Sequence, residues 1–242
     1  MNDVERHYHA HLAPIYVWMS GGLEAAFLRG EAELTELGLL EGRGRSVLDL
    51  GAGFGMHAIP LARRGYCVTA VDSSELLLGT LRQYAADVPV ATNHGDLVEY
   101  VEDLASNLDL ILCMGDTLPH LQDDAQVQRL ILGAHRALRP RGRLVLSFRD
   151  YTQAREGVAR FLPVRSDEAR ILTCFLEYST SHVTVHDLLQ EKQGNAWTTT
   201  VSAYRKLRLT PDSVVAALVA QGFNARCEKG VAGMVRIDAV RD

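Results

Sequence analysis

Cysteine is scarce. Four residues (Cys67, Cys113, Cys174 and Cys227) are scattered over 242 positions with no C-x-x-C pair. That spacing argues against a disulfide framework or a thiolate zinc site, and reads as incidental or buried reduced thiols. A cationic surplus is also missing: 25 Lys and Arg against 30 Asp and Glu leave a net charge of −5. A nucleic-acid partner usually demands a basic face, so none is expected. No apolar run is long enough to span a bilayer, so no membrane span is expected. The opening stretch MNDVERHYHAHLAP is polar, without the apolar core of a secretory leader, and a cytoplasmic location is the expectation. Repeats and low-complexity linkers are absent as well.

What is present is an ordinary globular composition, 47% hydrophobic and 23% charged. The length suits one α/β domain with an elaboration. The informative stretch runs from Ser46 to Ser74, SVLDLGAGFGMHAIPLARRGYCVTAVDSS. Val47 to Leu50 is a short apolar run bounded by glycine, which predicts a buried parallel strand. Gly51, Gly53 and Gly55 then turn the chain and can leave bare backbone against a ligand. Met56 to Arg64 is apolar at helical spacing and stops at Gly65, and Cys67 to Val71 reads as the second strand. Asp72 closes that strand about 20 residues after the glycine turn, where a carboxylate accepts hydrogen bonds from a ribose diol.

Two cofactor classes use this geometry. A dinucleotide site wants G-x-G-x-x-G facing a pyrophosphate. Here the third glycine comes one residue early, and Met56 stands where the pattern wants glycine. Asp49 beside the turn is a poor neighbour for a pyrophosphate and a good one for a cationic ligand. The segment VLDLGAGFG with Asp72 resembles the class I S-adenosylmethionine-dependent methyltransferases. That resemblance implies a Rossmann-like, seven-stranded, mostly parallel sheet with one antiparallel strand. It also implies S-adenosylmethionine as cofactor, held by Asp49, Gly51, Gly53, Gly55, Asp72, Ser73, Asp96, Leu97 and Met114.

The flanking segments supply the remaining candidates. Leu23 to Leu40 has helical spacing with Gly30 as its weak point, and Tyr16 and Trp18 precede it. The resemblance makes residues 1–40 a helical lid, with Tyr16 either closing the pocket or anchoring a helix. By the same resemblance, Arg29 binds the cofactor's carboxylate, although a solvated helix face also holds arginines. His7, His9 and His11 alternate, but lack the supporting ligands of a metal site, so no metal is expected. Asp96 follows the third strand (Val88 to Thr92); it reads equally as an acceptor for the adenine amino group and as a helix N-cap.

Leu108 to Cys113 is the fourth strand, and the loop MGDTLPH behind it faces the methyl end of the cofactor. CMGDTLPHL and SFRDYT resemble loops of the glycine N-methyltransferase group, with Asp116 where that group has asparagine. His120 is the candidate base or substrate-orienting group, with capping of the next helix (from Ala125) as the alternative. Arg149, ending the fifth strand (Leu144 to Phe148), suits an anionic or carbonyl-bearing substrate unless it merely pairs with Asp150. The core is therefore expected over residues 41–150, resuming at 210–242 with a helix from Pro211 and a closing hairpin. Residues 151–209 form an antiparallel β cap, read as three strands (Arg170 to Tyr178, His182 to Lys192, Ala196 to Leu209). That cap would serve as a substrate wall or as a contact between the copies of a homodimer. Tyr178, His182, His186, Trp197 and Tyr204 are its candidate pocket or interface residues. The expected function is methyl transfer to a small molecule, at an amine or ring nitrogen by in-line displacement. Alternatives are an O-methyltransferase, an NAD-type oxidoreductase, or a non-catalytic cofactor-binding subunit.

Overall fold

In a computed structural model, residues 7–104 and 107–242 are described, the side chains of Tyr8 and His9 excepted. His9, one of the alternating histidines, thus lies outside the described side chains. The βαβ unit forms as its pattern dictates. Strand β1 (Ser46–Leu50) leads through the glycine turn into helix α3 (Ala58–Arg63) and strand β2 (Cys67–Asp72), which pairs parallel to β1. Helix α4 (Glu75–Tyr84) is capped by Ser74, whose hydroxyl accepts from the Leu77 N–H. It returns the chain to β3 (Val90–His94), two residues later than the apolar run implied, beside β2. Helix α5 (Leu97–Asp103), strand β4 (Leu108–Cys113), helix α6 (Asp124–Ala137) and strand β5 (Leu138–Phe148) follow.

The fifth strand departs from its expected bounds. Arg139-Pro140-Arg141-Gly142 does not leave the sheet, because Leu138 already pairs with Leu108 and an irregular register precedes the Leu110–Arg143 pair. Arg141 absorbs the irregularity at φ +66°. After the cap, α7 (Pro211–Ala220) starts at the Thr210 N-cap with proline in its first turn. Strands β10 (Phe223–Lys229) and β11 (Val235–Arg241) then close the sheet. Its order is β10-β11-β5-β4-β1-β2-β3, and β11 alone runs against its neighbours. One face packs α5, α6 and α7 through Val101, Leu130, Ile131 and Leu218. Helices α3 and α4 cover the other face through Ile59, Leu61, Leu78 and Leu81.

Between β5 and α7 lies a second, antiparallel sheet of four strands, β6 (Phe161–Ser166), β7 (Arg170–Tyr178), β8 (His182–Gln193) and β9 (Ala196–Leu207). The cap therefore has one strand more than its alternation revealed. Phe161-Leu162-Pro163-Val164 carries a proline and a register shift, the marks of an edge strand rather than a regular one. Two N-terminal helices, α1 (Ala13–Met19) and α2 (Leu23–Glu36), tie the sheets together. Leu12 and Ile15 pack on Leu172 of the cap, while Ala13 and Ala26 pack on Phe54 of the glycine turn. Helix α2 stops at Glu36 rather than Leu40, because Gly38 turns the chain at φ +64°.

Candidate active site

The site lies outside the carboxyl ends of the parallel strands, where open α/β sheets bind ligands. Gly51 and Gly53 sit at φ +73° and +55°, so side chains are disfavoured along the turn. A Cβ on Gly53 would approach only one atom, Leu77 Cδ1 at 3.9 Å, which leaves that backbone open to a ligand. Asp72 locks the turn: Oδ2 accepts from the Gly53 N–H at 2.7 Å and Oδ1 from the Ser74 N–H at 2.8 Å. Burial nevertheless raises the Asp72 pKa, with the two N–H bonds opposing it. Asp49 is 2% exposed, and its Oδ2 has no hydrogen-bond partner among the described residues. Burial lifts its pKa to about 6; His57 lowers it and the Asp72 carboxylate raises it further. A buried carboxylate oxygen left unsatisfied in this way is stabilised by a cation placed beside it.

Two cavities meet over the turn and share Tyr16, Gly51, Gly53 and Thr117. One, of about 520 Å³, adds Asp72, Ser73, Leu77, Leu97 and His120. Its acidic end and apolar sides suit a nucleoside. The other, of about 1060 Å³, is walled by Arg29, Glu33, His57, Met114, Arg149 and Met234 among others. The orphaned Asp49 oxygen, the open Gly53 backbone and the acid at Asp72 fit S-adenosylmethionine. Asp72 and Leu97 would hold the nucleoside, the turn its sulfonium end, and Arg29 its carboxylate.

Most expected residues converge here. Gly55 does not line either cavity; a Cβ there would meet Leu81 and Ile59, so it serves packing. Asp96 caps α5, its Oδ1 accepting from Val98 and Glu99, and it borders a separate groove with Asn93 and Tyr100. Arg29 donates to the Ser20 carbonyl at the rim. Arg149 is not paired with Asp150: its Nη1 donates to the Ala232 carbonyl at 2.9 Å, and its Nε lies 4.0 Å from Asp116 Oδ2. His120 stacks on Tyr204 with centroids 5.4 Å apart, and burial pushes its pKa well below the usual value, helped by Lys206 and His7. Its imidazole is therefore neutral across the physiological range. Tyr16 packs edge-on against Phe54, 5.9 Å between centroids.

Other residues arrive only through tertiary structure. Thr117 lines both cavities, its hydroxyl donating to the Met114 carbonyl. Glu33 and His57 form a buried pair at 3.3 Å on the wall of the larger cavity. Behind the wall, Asp116 at φ +74° gathers three groups: the Arg149 N–H, the Tyr151 hydroxyl and the buried Lys206 ammonium of β9. Burial lifts the Tyr151 pKa to about 12, while Asp116 holds Lys206 charged against burial that would lower it. Lys206 alternates along β9 with Tyr204 and Ser202, so one face of that strand meets the core. Ser202 and Asp187 both reach His7, at 2.6 and 3.0 Å.

Of the other cap candidates, His186 bonds Glu177 at 3.1 Å and His182 bonds Ser181 at 2.8 Å. Tyr178 lies under the Arg208 guanidinium, and Trp197 is exposed. No group of three or more metal-capable side chains occurs among the described residues. No described helix is long and apolar enough to cross a membrane.

A seven-stranded sheet with one reversed strand, and a glycine turn between two strand-end acids, make up the Rossmann-like α/β fold of methyltransferase domains. Residues 47–142 match the family described as a methyltransferase domain. The matched segment, less than half of the chain, holds the glycine turn and both strand-end acids. Over 106 residues the chain is 31% identical to a ubiquinone biosynthesis O-methyltransferase of Pseudomonas paraeruginosa, which is 43% of this chain and 44% of that protein. It is 29% identical over 121 residues to a glycine/sarcosine N-methyltransferase of Parasynechococcus marenigrum, 49% of this chain and 43% of that protein. The matched stretches thus span less than half the length of these relatives. The solved structure of an amino pentose methyltransferase from Micromonospora echinaspora, with S-adenosylmethionine bound, superposes with a TM-score of 0.78 at 17% identity. That superposition covers 97% of this chain and 98% of the other, cap sheet included, and it is a likeness of fold.

Proposed function

We propose that the chain transfers the methyl group of S-adenosylmethionine to a small acceptor, at an amine or ring nitrogen. The observation that carries this reading is the buried Asp49 carboxylate at the head of an open glycine turn, one of whose oxygens, Oδ2, has no hydrogen-bond partner among the described residues. When bound, S-adenosylmethionine supplies a methyl group on a positively charged sulfur. The chain's own task is then to align a nucleophile with that methyl and to keep water out.

Tyr16 with Phe54 closes the turn from above, in keeping with a lid built from residues 1–40. Arg149, half exposed on the larger cavity, is placed to orient an acceptor that carries a carboxylate or carbonyl. His120, neutral and at the cavity wall, is placed to orient the acceptor by accepting a hydrogen bond. Neutral amines need little more, since their lone pair is already free. Residues 151–209 act as the cap that shapes the acceptor pocket. Asp96 takes part by capping α5, which places Leu97 against the nucleoside.

Oxygen as the acceptor atom is the second reading, favoured by the likeness to the ubiquinone biosynthesis O-methyltransferase. A phenol needs its proton removed, and a histidine whose pKa lies well below neutrality is a weak base for that step. Incubating the chain with methyl-labelled cofactor and matched sets of small amines and phenols tests both. Label on amines supports the first reading, and label only on phenols replaces it with the second. With an accepted substrate in hand, Arg149→Ala is expected to raise the acceptor KM about tenfold or more and to leave cofactor affinity nearly intact. Unchanged kinetics would remove Arg149 from the site.

A further inference from the structure

Glu33 is an acid in an unexpected place. It lies in the third turn of α2, one turn beyond Arg29, so both side chains share a helix face. Arg29 reaches the cavity rim, whereas Glu33 is 6% exposed and forms part of the cavity wall. The approach that brings it there is unusually close. Gly30 rests on the glycine turn itself, and a Cβ at that position would run into the Met56 carbonyl. Glu33 Oε2 lies 3.3 Å from His57 Nε2, and the charge of His57 in turn bears on the Asp49 carboxylate, whose Oδ2 has no hydrogen-bond partner among the described residues. An acidic side chain with so little water around it costs free energy unless a cation meets it.

Methionine-type cofactors end in a zwitterion with one carboxylate and one ammonium. Arg29 supplies the cation for the first, and the second needs acceptors within a few ångströms of the same turn. We propose that Glu33, oriented by His57, is the receptor for the ammonium group of S-adenosylmethionine, so that α2 reads both charges of the cofactor's amino-acid end. This rests on the cofactor reading above and adds a residue to it. Arg29 and Glu33 stand four residues apart on one helix face, and both line the larger cavity. His57 prevents the Glu33 carboxylate from swinging away when the cavity is empty of a cation.

The test is calorimetry on the full chain with two probes, S-adenosylhomocysteine and 5′-methylthioadenosine. Both carry the nucleoside and the sulfur, but only the first has the amino-acid end. Wild type should bind the homocysteine compound more tightly. Glu33→Gln, nearly identical in shape, should weaken it about tenfold or more while 5′-methylthioadenosine affinity stays within about twofold. That second affinity also certifies that the variant is folded. Equal losses on both probes, or no loss on the first, would overturn the assignment while leaving the cofactor reading in place. A wild-type chain that binds neither probe would overturn both.

Discussion

Asp49 is a buried carboxylate whose ionisation has a consequence for stability. Its folded pKa of about 6 lies above the ordinary carboxylate value of 3.8. The folded chain therefore binds the extra proton, and the ligand-free protein loses stability as pH rises from about 4 to 6. Above that window the cost is on the order of 3 kcal/mol at 1.36 kcal/mol per pKa unit. Asp49→Asn should accordingly raise the melting temperature of the ligand-free chain at pH 8 and leave it nearly unchanged at pH 4. The same variant should weaken S-adenosylmethionine binding about tenfold or more, and should flatten the loss of affinity that wild type shows below pH 6. Melting curves and calorimetry at the two pH values check this; a variant that is less stable at pH 8 would contradict the burial argument. The placement of Asp49, Asp72, Gly51 and Gly53 around one turn was legible in the sequence because it is local, fixed by one strand-turn-strand unit, whereas the packing of Gly55 on Leu81 and Ile59 was not. Glu33, His57 and Thr117 were not, since each reaches the cavity from an element whose own pattern is silent about its neighbours. Of the two compatible readings of Asp96, the structure forms the helix cap that local sequence allowed.

At the level of elements, two of the contacts that hold the N-terminal helices and the cap to the core differ in kind. The first is steric: Gly30 lets α2 lie against the Met56 carbonyl. In the sequence this glycine reads only as a weak point in a helix, yet Gly30→Ala, usually favourable in a helix by ~1 kcal/mol, should here destabilise. It should lower the melting temperature and S-adenosylhomocysteine affinity together, because the displaced helix carries Arg29. A gain in stability would show that the contact yields. The second contact is ionic, between Lys206 of β9 and Asp116 behind β4. Breaking a buried pair by removing one partner costs roughly 3–5 kcal/mol, whereas replacing both by neutral groups is often nearly neutral. Lys206→Met alone should therefore be strongly destabilising in urea melts, and adding Asp116→Asn should recover most of the loss. Asparagine tolerates the positive φ of that position and still accepts the Arg149 N–H. Additive losses in the double variant would refute the coupling. Position 116 thus makes physical sense of a departure from the glycine N-methyltransferase loop: the acid there balances a cap lysine.

The whole molecule is an α/β sheet whose ligand edge is roofed by elements from both termini of the core sequence. The sheet order could be anticipated because alternating βα segments allow few topologies and the closing hairpin supplies the one reversed strand. The roof was harder. Strand β6 is short, proline-bearing and at an edge, so its pattern carries little strand signal. The joining of Ser202, Tyr204 and Lys206 to His7, His120 and Asp116 spans most of the chain and leaves no local trace. The proposed function divides along the same line, with cofactor binding assigned to the βαβ unit and acceptor binding to the roof. The most direct test of the central claim is therefore a titration of the purified, ligand-stripped chain with S-adenosylhomocysteine, with NADH as control. The account predicts one saturable site, release of heat, a melting temperature that climbs with ligand concentration, and no response to NADH. Binding of NADH with no response to S-adenosylhomocysteine would contradict it.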